Sequence, residues 1–174
     1  MSTNKILVVA VIVIVIVVAG VWFYLGGGFG GVSAPAAPAG GGTETRSDAP
    51  SDVVVPDVGA TNVPANVAVP QNVAPAAPGV SAKFRSFEIK VDGGKFVPDT
   101  LAVNVGDTVN VKITAVDKDY DFVQPDYGFS FPLPKGIQKT LEFGATTEGK
   151  YTFYCSSCGG PDKGPVGYII VVKK

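Results

Sequence analysis

Residues 87–114 read FEIKVDGGKFVPDTLAVNVGDTVNVKIT, and apolar side chains recur there at every second position. Phe87, Ile89 and Val91 alternate with Glu88 and Lys90, and Leu101, Val103 and Val105 keep the same step. Val109, Val111 and Ile113 alternate with Asn110, Lys112 and Thr114. A period of two sorts side chains onto opposite faces of a strand, so the pattern predicts half-buried β-strands. Working outward, Leu141 and Phe143 flank Glu142, Tyr151, Phe153 and Cys155 form another alternating run, and Tyr168–Val172 closes the chain. Turn signals separate these runs at Asp92-Gly93-Gly94, Val105-Gly106-Asp107, Lys135-Gly136, Glu148-Gly149 and the Gly/Pro cluster at 159–167. No window sustains a helical period. Six or more short strands in the 94 residues from Ser81 to Lys174 predict an all-β domain, a small sandwich or barrel.

The rest of the chain differs in kind. The whole chain has 174 residues, 46% hydrophobic and 17% charged, but Ser81–Lys174 hold 12 of the 14 basic and 11 of the 15 acidic groups. That leaves room for one small folded domain, 81–174. A net charge of −1 without a basic run argues against a nucleic-acid partner. The chain has no His, which excludes His-based triads, His-ligated zinc or haem, and imidazole acid–base chemistry.

Ile6–Leu25 is twenty residues without a charge. At about 1.5 Å per residue a helix of that length crosses ~30 Å of hydrocarbon. Trp22 and Tyr24 lie at its end, where aromatic rings favour the interface. Lys5 precedes the span, so the positive-inside rule places the N-terminus in the cytoplasm and the remainder outside. Residues 1–25 are therefore expected to be a cytoplasmic N-terminus and a single transmembrane anchor in the lipid bilayer. A cleaved signal peptide is the alternative, although its apolar stretch normally runs only about 7–15 residues. Residues 26–80 carry ten Gly, eight Pro and repeated Val-Pro units, and are expected to form a disordered, extended tether.

Three motifs carry a family resemblance. Phe96-Val97-Pro98-Asp99-Thr100-Leu101, followed by Val105-Gly106-Asp107-Thr108-Val109, resembles the opening of a cupredoxin domain. Glu148-Gly149-Lys150-Tyr151-Thr152-Phe153-Tyr154-Cys155 resembles the penultimate strand that delivers the metal-binding Cys, and Val166–Val172 resembles the last strand. The resemblance spans roughly residues 84–173 and implies an extracytoplasmic Greek-key β-sandwich of the blue-copper and cytochrome c oxidase subunit II type. In that class copper shuttles single electrons. The resemblance also implies a redox protein or a membrane complex as partner.

The site departs from the family pattern. Tyr120, in Asp117-Lys118-Asp119-Tyr120-Asp121-Phe122, stands where the resemblance places a His. Cys155 matches the family Cys, and Cys158 follows one residue closer than the second Cys of a dinuclear site. Asp162 falls near the position of the loop His, and Pro165 takes that of the Met. The candidate metal residues are thus Cys155, Cys158, Tyr120 and Asp162. Without imidazole or thioether, this set suits the soft ion Cu(I) better than Cu(II), which thiols reduce.

Three readings of the Cys pair stand open: a short disulfide suited to an oxidising compartment, a soft-metal thiolate pair, and a thiol–disulfide redox pair. Asp117, Asp119, Asp121 and Asp126 read as a solvated acidic loop, lacking the Gly and final Glu of an EF-hand. Tyr120, Tyr127, Phe129 and Phe131 form an aromatic group expected to be mostly core. Two function classes follow: an atypical His-free copper-handling or electron-transfer protein, or a metal-free surface or assembly module with Cys155–Cys158 as a structural disulfide. Hydrolytic or transferase activity is not expected, since no nucleophile–base pair or phosphate loop is present.

Overall fold

The computed structural model describes residues 46–174; Ile6–Leu25 and residues 26–45 lie outside the described residues. The elements, in chain order, are β1 (Arg46–Ser47), β2 (Asn72–Pro75), β3 (Lys83–Asp92), β4 (Lys95–Val97), β5 (Thr100–Asn104), β6 (Thr108–Ala115), β7 (Tyr120–Gln124), β8 (Phe129–Leu133), β9 (Gln138–Gly144), β10 (Gly149–Tyr154), α1 (Gly160–Lys163) and β11 (Val166–Val172). One sheet runs β5-β11-β10-β7-β8 with β1 also on β10; the other runs β2-β3-β6-β9 with β4 also on β3. Among the described residues no helix is long and apolar enough to cross a membrane.

The predicted alternation becomes the core. Phe87, Ile89 and Val91 of β3 lie beside Val111, Ile113 and Ala115 of β6 in parallel register. They meet Leu101, Val103, Phe122, Phe153, Ile169 and Val171 from the other sheet in one buried cluster. Phe96 packs edge-on against Phe122 and Phe153, with centroids 6.2 and 4.9 Å away, an arrangement that aromatic quadrupoles favour. Gly93 and Gly94 close the β3–β4 turn with φ of 55° and 74°, a conformation that side chains with a Cβ resist.

Arg85 breaks the apolar pattern, because it occupies a core-facing position of β3 and is 2% exposed. Its Nε donates to Asp107 Oδ2 at 2.7 Å and its Nη1 to the carbonyl of Pro56 at 2.8 Å. Asp107, also fully buried, accepts the amides of Lys83 at 3.0 Å and Asn104 at 3.2 Å. Burial alone would raise the Asp107 carboxyl. The Lys83 amide, the Arg85 guanidinium and the Asn104 amide outweigh it and hold the group below the usual carboxylate range.

The expected tether over 26–80 is where the structure differs most from the sequence. Its described part, 46–80, lies against the sandwich. Arg46 and Ser47 pair with Tyr151 and Lys150, and Asn72–Pro75 pair with β3. The Ala68 amide reaches the Thr100 carbonyl at 2.7 Å, and the Thr100 amide reaches the Asn66 carbonyl at 2.9 Å. Pro56, Ala68 and Pro70 are buried. Apart from turns such as the Val67 amide to the Pro64 carbonyl at 2.9 Å, the Val-Pro chain leaves carbonyls free to satisfy donors of a neighbouring sheet.

Two outcomes follow. A chain trimmed to 81–174 is expected to be less stable than 46–174 by roughly 3 kcal/mol, because Arg85 loses a buried acceptor and β3 an edge partner; urea denaturation of the two checks this. Asp107→Asn is expected to cost about 3 kcal/mol, because the buried Arg85 guanidinium then keeps only the exposed Asp57 carboxylate, 3.5 Å from Nη1, as a charged partner. Because folding lowers the Asp107 pKa, its contribution is complete above the unfolded value and is lost as acidification passes through the folded one. Wild-type stability should therefore fall below about pH 4, and the Asp107→Asn variant should show a shallower fall there.

Candidate functional site

β10 ends at Tyr154, and the chain turns at once through Cys155-Ser156-Ser157-Cys158 into α1. Cys155 and Cys158 are joined by a disulfide with Cα atoms 5.3 Å apart, within the ordinary range for such a bond. Cys155 is fully buried, and Cys158 is half-buried against the same core.

The loop is held by more than its sulfurs. The Ser156 amide donates to Asp121 Oδ1 at 2.6 Å and the Ser157 amide to Asp121 Oδ2 at 2.9 Å. One carboxylate thus grips two consecutive amides. The Cys155 amide donates to the Pro165 carbonyl at 3.1 Å, and the Gly160 amide returns to the Cys155 carbonyl at 3.2 Å. Gly159 has φ 108°, and a Cβ on Gly164 would lie 2.9 Å from the Cys155 carbonyl oxygen, so both turns are built for glycine. Ser157 Oγ lies 3.5 Å from Cys155 Sγ. A disulfide sulfur carries no hydrogen, so the hydroxyl is the donor.

Of the four candidate metal residues, the structure brings Cys155 and Cys158 together. Tyr120 is committed elsewhere: its hydroxyl donates to the Asp117 carboxylate at 2.9 and 3.0 Å and accepts the Gly94 amide at 3.0 Å. Burial and the Asp117 hydrogen bond both push its phenol up. Burial would also raise the Asp117 carboxyl, but the Tyr120 hydroxyl and nearby amides more than offset it and lower the group. Asp162 is exposed on α1, with no described contact to the cysteines. Among the described residues no three His, Cys, Asp or Glu side chains gather to hold a metal ion.

The acidic loop is not uniformly solvated: Asp119 accepts the Lys135 amide at 2.8 Å, and Asp126 accepts Gln124 Nε2 at 2.9 Å. Tyr127, Phe129 and Phe131 are half-buried against the core, as the sequence led us to expect of the aromatic group. Asp121, read from the sequence as one of a solvated acidic loop, instead holds the cysteine loop, and Ser157 is a residue that sequence reasoning passed over. β7 and β10 meet at the pair Val123↔Tyr154, and extending that register places Asp121 opposite Ser156. Nothing in the sequence supplies that pairing.

Tyr120→Phe is expected to cost about 1 kcal/mol in chemical denaturation, since the Gly94 amide loses its acceptor. It should also move the Asp117 carboxyl back up towards its ordinary value, which carboxyl NMR titration would register.

Residues 65–171 match the family described as Cupredoxin-like domain. No curated protein matches the chain. Similar solved structures include the metal-binding domain of the Streptococcus pneumoniae Cu(I)-exporting P-type ATPase, at 15% identity over 52% of this chain and 87% of that one, TM-score 0.45. The periplasmic domain of cytochrome oxidase subunit II from Bradyrhizobium japonicum aligns at 18% identity over 51% and 84%, TM-score 0.44. Auracyanin A, a blue copper protein from Chloroflexus aurantiacus, aligns at 15% identity over 51% and 98%, TM-score 0.42.

Proposed function

The chain belongs to the cupredoxin-like domain family, and from that premise we propose a membrane-anchored extracytoplasmic protein whose copper handling is conditional on the redox state of Cys155 and Cys158. The observation that carries this is the disulfide itself, formed by the residue that matches the family's metal-binding Cys. As folded, the donor set does not fit copper. Disulfide sulfurs are poor ligands, the Tyr120 hydroxyl is occupied by Asp117 and Gly94, Asp162 is out on α1, and the chain has no imidazole. Reduction would release two thiolates, a soft pair suited to Cu(I). Cys155 and Cys158 would then hold the ion, and its service would be single-electron or copper-transfer chemistry of the family kind.

The placement rests on Ile6–Leu25, whose length, lack of charge and terminal Trp22 and Tyr24 support a bilayer anchor, with Lys5 on the cytoplasmic side. A disulfide in turn suits an oxidising, extracytoplasmic compartment. A redox protein or a membrane complex is the partner this arrangement serves. The closed disulfide also favours a second reading, a metal-free surface or assembly module in which the bond is purely structural.

Thiol counting with copper titration separates the two. The purified chain is expected to show no reactive thiol, then two after reductant, and then to bind one Cu(I), with Cys155→Ser or Cys158→Ser weakening binding at least tenfold. Added Cu(II) should give no intense blue or purple band. Two free thiols that take up no Cu(I) would leave the metal-free module as the function.

A further inference from the structure

The two sulfurs of the disulfide are not equivalent. Cys155 is wholly buried and Cys158 half-buried, so Cys158 is the one of the two that reaches solvent, where an incoming thiolate arrives. The Ser157 hydroxyl stands 3.5 Å from Cys155 Sγ, the sulfur of the buried residue. Asp121 clamps the Ser157 amide, which fixes the residue carrying that hydroxyl, and the Ser156 amide beside it.

We propose that this loop is a thiol–disulfide exchange site in which Cys158 Sγ is attacked, Cys155 Sγ leaves, Ser157 stabilises the leaving thiolate, and Asp121 is a positioning residue that keeps the loop closed around both sulfurs. The reductant is a dithiol, small or protein-borne. Its first thiolate forms a new S–S bond to Cys158 Sγ as the Cys155–Cys158 bond breaks. The electron pair of that bond departs on Cys155 Sγ, which accepts the Ser157 hydrogen bond and then takes a proton from solvent. The second thiol of the dithiol, deprotonated, attacks its own partner sulfur and displaces Cys158 Sγ, which is protonated in turn. The dithiol leaves as a disulfide, and the pair has gained two electrons and two protons.

The physical need for Ser157 follows from burial. A thiolate forming inside an apolar core is strongly disfavoured, and a charge-directed hydrogen bond at that sulfur offsets part of the cost. Asp121 serves the equilibrium. Two amide bonds hold the turn whether or not the sulfurs are joined, so the released thiols stay adjacent and reclosure is favoured. The inference rests on the loop being reducible, as the proposed function requires, and does not need copper.

The test uses the full-length chain. Oxidised protein is incubated with glutathione, quenched in acid and mapped by mass spectrometry; the glutathione adduct is expected on Cys158, and an adduct on Cys155 would overturn the assignment. This arm needs no variant. Ser157→Ala is expected to slow reduction by dithiothreitol roughly tenfold, with Ser157→Thr restoring the rate; an unchanged Ser157→Ala rate removes the donor role. Asp121→Asn is expected to shift the equilibrium with dithiothreitol about tenfold toward the dithiol, close to 30 mV; no shift removes the positioning role. A Cys158 adduct without Cu(I) uptake sinks the copper reading and leaves this one standing. Cu(I) uptake with an adduct on Cys155 does the reverse.

Discussion

A guanidinium cannot lose its proton, so Arg85 in the core can be accommodated only by an arranged set of acceptors. Asp107 supplies the charge at 2.7 Å, and the carbonyl of Pro56 supplies the neutral partner at 2.8 Å. That pair of requirements reaches far along the chain. Asp107 lies in the turn between β5 and β6 and also accepts the Lys83 and Asn104 amides, so one carboxylate joins β3 to that turn. Lys174 Nζ comes within 3.7 Å of its other oxygen, bringing the end of the chain to the same point. Pro56 belongs to a segment with no core of its own, and Arg85 is what draws it in. A hydrophobic pair of equal volume can match the stability of such a bridge, but it would not specify where residues 56 and 107 must lie.

The same economy operates at the cysteine loop. The turn after β10 is defined by the Asp121 carboxylate, by the Pro165 and Cys155 carbonyls, and by two glycine positions. The disulfide is therefore one constraint among several. In a loop defined by its sulfurs alone, reduction would release the backbone. Here the backbone is satisfied independently, and the sulfurs are set at one end of a rigid sheet with unequal access to solvent. The fold thus fixes the separation of the two sulfurs, buries Cys155 and sets the Ser157 hydroxyl beside its sulfur.

Much of this was legible in the residues. The alternation of Phe87, Ile89 and Val91, of Val109, Val111 and Ile113, and of Tyr151, Phe153 and Cys155 announces strands, because a period of two has no other regular structure to satisfy. The family resemblance located Cys155, and the absence of His and of the loop Met already excluded an ordinary copper site. The segment 46–80 was misjudged because composition reports what a segment can bury by itself. It cannot report which carbonyls a neighbouring sheet will claim. Asp121 was read as solvated for a related reason: its role depends on the pairing of β7 with β10, which joins residues 35 and 36 positions apart.

The sequence by itself determined the all-β class, the strand runs, the absence of imidazole and the position of the cysteine pair. These are local properties, carried by periodicity, composition and spacing within a few residues. Only the tertiary structure decided that the Val-Pro segment joins the domain, that Arg85 is bridged to Asp107, that Tyr120 turns to Asp117, and that Asp121 grips the cysteine loop. Each of these is a contact between polar groups distant in the chain. Whether a buried donor finds its acceptor depends on strand register and sheet order, which no local pattern encodes.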